Sequence, residues 1–449
     1  MLVILIAFFS RREQNRAAAR FLAQDASQQA QTASSRNAST SQVPGPSGVP
    51  SLPKRGPTAA ETVTNKISQF SRNRRELVHA MARRDQIDVP TEVEEFFEAI
   101  EAGRWDEIEG LAKALHEALA GTEAIKLWHP IIEAWGAVQE AISWPPQKLL
   151  DYGNAVLGAL RPGMVYVGGT DPGRWIPTLL TETSEGEHHI VLTQNAFADG
   201  SYLNYLDFLY GGRMASLTPE DSQRAFQDYR SDARQRLQHD QQFPDEPRQI
   251  PPGEDVSMVQ NSVQFGGHTA VMAINERLLQ TLMQKNPDSA FALEESSPLK
   301  GTYASAAPLG PIMELRAQGG QNALTADRAT KALDYWRATT QQLLSDPEAS
   351  NSLDTLRTYS HDATAQANLL ASHNYNAEAE QAYNFASQLS PSNLEAVSGL
   401  SEILAKSGRT DQARQLLDDF ARKNPAQRSE AETVRLRIFM KLPAPGPGR

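Results

Sequence analysis

Two short loops hold the side chains best placed for chemistry. The first reads Gly168-Gly169-Thr170-Asp171-Pro172-Gly173-Arg174, and the second runs from Asn195 through Asp199 to Tyr202. An arginine just inside a helix start can grip a phosphate or carboxylate through paired N–H donors. The free backbone N–H groups at such a start favour an anion as well. In this reading Thr170, Asp171, Arg174, Asn195, Asp199 and Tyr202 form the ligand-binding set. The same residues have a purely structural reading, in which Asp171 and Asn195 cap turns and Arg174 pairs with an acid.

Known catalytic spacings are absent. Gly168–Arg174 has neither the G-x-G-x-x-G of a dinucleotide fold nor the Gly-Lys-Ser/Thr of a P-loop. No Gly-x-Ser-x-Gly elbow and no His-Glu-x-x-His occurs. The chain has 0 cysteines, which excludes thiolate metal sites, Cys nucleophiles and disulfides. His188 and His189 are neighbours, so on a strand they face opposite ways and cannot share a metal. No catalytic residue, metal or cofactor is expected.

The two loops need elements to hold them. Met164–Val167 and Ile190–Leu192 are short apolar runs, and a helix over Arg174–Leu180 lies between them. That arrangement is a parallel strand pair with a crossover helix, and both loops fall at the carboxyl ends of its strands, where open α/β sheets bind ligands. Phe291–Glu294 and Ile312–Leu315 read as later strands and His268–Lys285 as a helix. Thr218-Pro-Glu-Asp221 is a helix start. Phe243–Glu254 reads as a polar flap and Tyr303–Pro311 as a loop over the sheet edge.

The expected fold is therefore an α/β central domain over 163–320, a small parallel sheet with flanking helices. A helical region over 61–162 precedes it. Apolar residues at helical spacing mark Glu61–Arg84, two helices after a Thr91-x-x-Glu94 capping box broken at Gly103, then Glu123–Ile142 and Gln147–Leu160. The arginines of the first helix read as a solvated face that could touch anionic lipid.

The strings GGTDPGRWIPTLL, IVLTQNAFADGSYLNYL, TPEDSQRAFQDY, TAVMAINERLL and GPIMEL resemble the soluble C-terminal region of bacterial multi-span, glycosyltransferase-like membrane proteins related to protein O-mannosyltransferases. The resemblance covers roughly Trp144–Arg316. It implies a membrane half ahead of this domain and helical repeats behind it. That half would carry the catalytic carboxylate and the lipid-sugar donor site, and its strings are missing here. The resemblance thus transfers no catalytic residue and implies an accessory module.

The tail, 321–441, has its own signature. Ala379, Tyr383, Ala386 and Pro391 fit the tetratricopeptide (TPR) pattern, and Ala413, Leu417 and Pro425 repeat three of those positions 34 residues later, with Gly408 in the turn. Helices over Ala326–Leu344 and Leu353–Ser372 supply earlier layers, and Glu430–Met440 caps the stack ahead of a disordered end at 442–449. Two repeats bury too little alone, so the stack is expected to lean on the central domain.

At the other end, residues 1–23 hold the apolar run Leu2–Phe9 and a basic flank, and 24–60 are a Pro/Ser/Ala/Gln linker. Eight apolar residues are too few to span a bilayer alone. The run reads as an anchor, either interfacial or the end of a longer span. Residues 1–85 carry 13 Lys/Arg against 5 Asp/Glu, and the remainder 30 against 49. A basic arm on an acidic body suits a membrane surface and argues against nucleic acid. The Arg flank would keep that side cytoplasmic, whereas the resemblance implies an envelope protein with an extracytoplasmic body.

The function expected is a membrane-tethered, non-catalytic binding or scaffold protein of the cell envelope, with an α/β domain that recognises a ligand such as a sugar phosphate or glycan-related group, and a protein or peptide partner on the repeats. The alternative is a glycosyltransferase-related enzyme, or a protein binding a nucleotide sugar or sugar phosphate at the strand-end loops.

Overall fold

The computed structural model describes residues 56–440, apart from Thr170, Pro247, 251–253, Asn261, Ser296 and 317–323. The N-terminal apolar run, its basic flank, the linker before Gly56 and the last residues lie outside that set. Among the described residues no helix is long and apolar enough to cross a membrane.

Five helices lead the fold: α1 (Ala59–Asp85), α2 (Thr91–Glu101), α3 (Ile108–Leu119), α4 (Trp128–Ser143) and α5 (Pro146–Ala159). Helix α1 starts in a capping box between Thr58 and Glu61 and buries Val63, Ile67, Phe70, Val78 and Met81 along one stripe. The box expected at Thr91 and Glu94 is not formed. Pro90 is the N-cap, so Thr91 is already inside the helix. The Glu94 carboxylate is drawn instead to Arg75 at 2.5 Å and His79 at 2.8 Å on α1. Gly103, with φ +74°, makes the expected break.

Strand β1 (Val165–Gly168), helix α6 (Pro172–Glu182), strand β2 (Ile190–Thr193) and helix α7 (Gly200–Tyr210) form the expected βαβα unit. The long α8 (Pro219–Gln242) follows, begun by the Thr218–Asp221 capping box. Strands β3 (Asp255–Val259) and β4 (Ser262–Gly266) make a separate hairpin before α9 (Gly267–Lys285). Strands β5 (Phe291–Leu293), β6 (Ala306–Leu309) and β7 (Ile312–Leu315) complete a sheet of order β2-β1-β5-β7-β6.

That sheet is mixed, which corrects the parallel expectation. β1 pairs in parallel with β2 and β5, whereas β7 runs antiparallel to β5 and β6. The segment expected as a loop over the edge is itself strand β6, turned back by Gly310 at φ +59°. Its Pro308 is tolerated because β6 is an edge. The expected flap is held down: Asp240 accepts from Gln249 N–H at 2.7 Å, and Arg236 grips Glu254 at 2.6 and 2.7 Å.

Helices α10 (Ala326–Ser345), α11 (Pro347–Ser350), α12 (Leu353–Ser372), α13 (Asn376–Leu389), α14 (Leu394–Lys406), α15 (Thr410–Lys423) and α16 (Arg428–Met440) form the tail. It leans on the sheet. Gln366 Nε2 donates to the Ile312 carbonyl at 2.7 Å, and the Tyr152 and Tyr359 rings meet edge to face.

One buried carboxylate joins the leading helices to the sheet layer. Glu133 on α4 meets Arg74 of α1 at 2.8 Å, receives the Tyr205 hydroxyl of α7 at 2.6 Å and pairs with Arg174 of α6. Arg74 also pairs with Glu182. Arg74 is 3% exposed, so this arginine does not belong to a solvated face. Glycines let the helices close around the network: a Cβ on Gly136 would come within 2.5 Å of the Trp175 ring, and one on Gly153 within 2.4 Å of Leu180.

Removing the shared anion leaves two buried arginines short of a partner. Glu133→Gln is expected to lower stability by about 3–5 kcal/mol, since breaking a buried pair strands its charge. Urea denaturation followed by circular dichroism measures it. A loss below about 1 kcal/mol would mean that water reaches these arginines.

Candidate functional site

The five described loop residues are each engaged with neighbours of the fold. Arg174 is 3% exposed, paired with Glu133 and stacked 4.2 Å over the Trp175 ring. The Tyr202 hydroxyl accepts from Thr193 N–H at 2.6 Å. Asp199 caps α7, accepting from Ser201 N–H at 2.9 Å and from Ser201 Oγ at 2.7 Å. Asn195 is partly buried on the loop after β2, and Thr170 lies outside the described residues. Asp171 is the N-cap residue of α6 but its side chain makes no cap bond there. It is hydrogen-bonded to Glu294.

His129, Ser201 and Asp199 lie close together, with His129 Nε2 2.9 Å from Ser201 Oγ. The order is wrong for a nucleophile: the carboxylate takes the hydroxyl proton, whereas a triad needs it on the imidazole. An open cleft nearby is lined by Met81, Arg84, Asp85, Lys126, Ser201, Asn204 and Asp207. It has charges of both signs and no convergent set.

A second cluster sits where the parallel strands end. Glu294 follows β5, and its backbone N–H donates to the Val167 carbonyl at 2.9 Å, continuing the ladder to β1. Its Oε2 accepts from Gly169 N–H at 3.1 Å. Gly173 passes so close that an added Cβ would fall 2.0 Å from the Glu294 carboxylate. Helix α12 completes the cluster with His361 and Asp362, and Tyr152 donates to Asp362 Oδ2 at 3.1 Å. One ligand atom from each of Glu294, His361 and Asp362 lies within 4.8 Å of the others.

The electrostatics follow from this crowding. Burial, then Asp171 and Asp362, pushes the Glu294 carboxyl well above the usual range. Burial and the neighbouring Asp171 also raise Asp362, against the pull of His361. Burial works against charge on His361, but Asp362 and Glu395 outweigh it and hold the imidazole up at about 9. Next along the chain, burial lifts Glu295 to about 7, with the Tyr303 hydroxyl on Oε1 at 2.6 Å.

The repeat residues behave as a packing signature. Ala379, Ala386 and Ala413 are 0% exposed, and Tyr383 and Leu417 are buried beside them. Asn374 at φ +65° and Gly408 at φ +81° make the same left-handed turn within successive helix pairs. Pro391 and Pro425 lie just past the ends of α13 and α15. Gly399, which the pattern reading missed, lets α14 approach Tyr383, because a Cβ there would come within 2.3 Å of the ring. Tyr383 donates to Asn368 Oδ1 at 2.7 Å, and Asn368 donates to Glu395 at 2.9 Å.

His129 allows a test of the first cluster. Burial holds its ring at about 4, against 6.5 for a free imidazole. Below pH 6.5 the unfolded chain takes up a proton that the folded ring refuses. The stability is therefore present above 6.5 and lost as pH falls towards 4. Wild type is expected to lose about 2 kcal/mol more than His129→Gln between pH 7 and pH 5 in chemical denaturation. Equal losses would show that the ring is not sealed from water.

Residues 369–438 match the tetratricopeptide repeat family model. No curated protein and no solved structure matches the chain. What the comparisons identify is this stretch: a TPR repeat, the architecture of a protein–protein interaction surface.

Proposed function

We propose that the chain is a non-catalytic binding protein of the cell envelope whose TPR repeats recognise a protein or peptide, with the α/β domain as the body that braces and completes them. The N-terminal apolar run tethers it to a membrane, in keeping with the resemblance to glycosyltransferase-like membrane proteins. The observation that carries the reading is the repeat at 369–438, whose opening helix α12 begins earlier and docks on the sheet through Gln366 and Ile312.

Chemistry indicates the kind of partner. The first helices of the two pairs, α12 and α14, carry Asn368, Glu395 and Glu402, all half-buried, with Asn368 bonded to Glu395 and Glu402 paired with Arg437 at 3.1 Å. Beyond residue 85 the chain carries 49 acidic against 30 basic side chains, so its field attracts a basic surface. The sugar-phosphate reading is weaker. It needs a free cation at the strand ends, and Arg174 is committed to Glu133.

Affinity capture with the full chain tests the reading, with Glu395→Lys/Glu402→Lys as the control. A partner held by wild type, weakened at least tenfold in the variant and sensitive to salt is expected. Identical capture by both chains would remove the repeats as the recognition surface.

A further inference from the structure

We propose that Glu294, His361 and Asp362 bind one divalent transition-metal cation, with the Asp171 carboxylate beside it. The site stands apart from the partner-binding reading, and either can fail without the other.

Three observations point to a cation. The donors come from opposite sides of one junction, Glu294 from the sheet and His361 with Asp362 from α12, yet their ligand atoms converge within 4.8 Å. Bonds of about 2.1 Å place two donors on one metal roughly 3–4 Å apart, so small side-chain rotations close the set. Second, Asp362 is 1% exposed and its Oδ1 has no hydrogen-bond partner among the described residues. That oxygen faces His361 Nδ1 at 3.9 Å, too far for a hydrogen bond and close enough for both to reach one ion. A buried carboxylate oxygen without a hydrogen-bond donor is costly, and a metal ion that displaces the imidazole proton would satisfy it together with the ring nitrogen.

Third, the supports of a metal site are already present. Tyr152 holds the other Asp362 oxygen and Gly169 N–H holds Glu294 Oε2, the kind of outer contacts that orient ligating carboxylates. Gly173 leaves room where any side chain would fill the space. His361 is 31% exposed at its side chain and gives the ion a path in. One imidazole with two or three carboxylates suits zinc, manganese or ferrous iron, and lacks the oxygen-only shell of calcium. A bound ion would clamp the first repeat helix to the sheet.

The test uses the tag-free full chain, stripped with chelator and titrated with MnCl2 and ZnCl2 by calorimetry and thermal melting. Wild type is expected to bind one ion per chain and to melt higher as the ion is added. His361→Gln and Asp362→Asn should each weaken binding at least tenfold and lose the rise in Tm. The amide introduced by Asp362→Asn keeps an acceptor for Tyr152, and if that variant fails to fold, the partly exposed His361→Gln decides. No saturable binding of either ion by wild type, or unchanged affinity in folded His361→Gln, overturns the proposal.

Discussion

The structure depends on an anion hidden from water between two arginines. Glu133 forms an ion pair with Arg74 and accepts from Arg174 and Tyr205, which lie on three other helices. Taking a carboxylate out of water costs several kcal/mol, recovered only when its neighbours are fixed and charged. The network therefore tolerates no slack among α1, α4, α6 and α7. It makes the leading helices part of the same body as the sheet, and it occupies Arg174, the one cation that the loop sequence offered to a ligand.

Much of the framework was legible because burial leaves a pattern. β1 and β2 are buried at every position, and such strands read as plain apolar runs. The repeats were legible because Ala379 and Ala413 occupy the same crowded place one period apart. What was missed lacks that imprint. The β3 residues are mostly exposed, so no alternation marks that hairpin. β6 begins Ala-Ala-Pro and has almost no strand propensity; it pairs because β7 lies beside it.

The site was less legible for a different reason. Glu294, His361 and Asp362 come from a strand end and a helix far apart in sequence, and no spacing links them. Likewise nothing in Gly168–Arg174 reveals that Arg174 has a countercharge at Glu133, 41 positions earlier. Thr91 and Glu94 match a capping box, but the pattern cannot anticipate Arg75 and His79 reaching over from α1. Local rules hold until a charge from elsewhere overrides them.

Helix α12 is both the opening helix of the repeat pair and the cover of the strand ends. Its Asp362 bonds Tyr152 across 210 positions of sequence, and Asp346 just ahead of it meets Lys148 across 198. During synthesis at about 5–20 residues per second, Tyr152 would wait roughly 10–40 s for Asp362 to emerge. The helix pairs of the tail close on near neighbours and form quickly once made; docking them is the long-range, slow step. Through that interval the nascent chain carries an open acidic and aromatic face, and folding in the cell has to keep it from other chains until its own C-terminal third arrives.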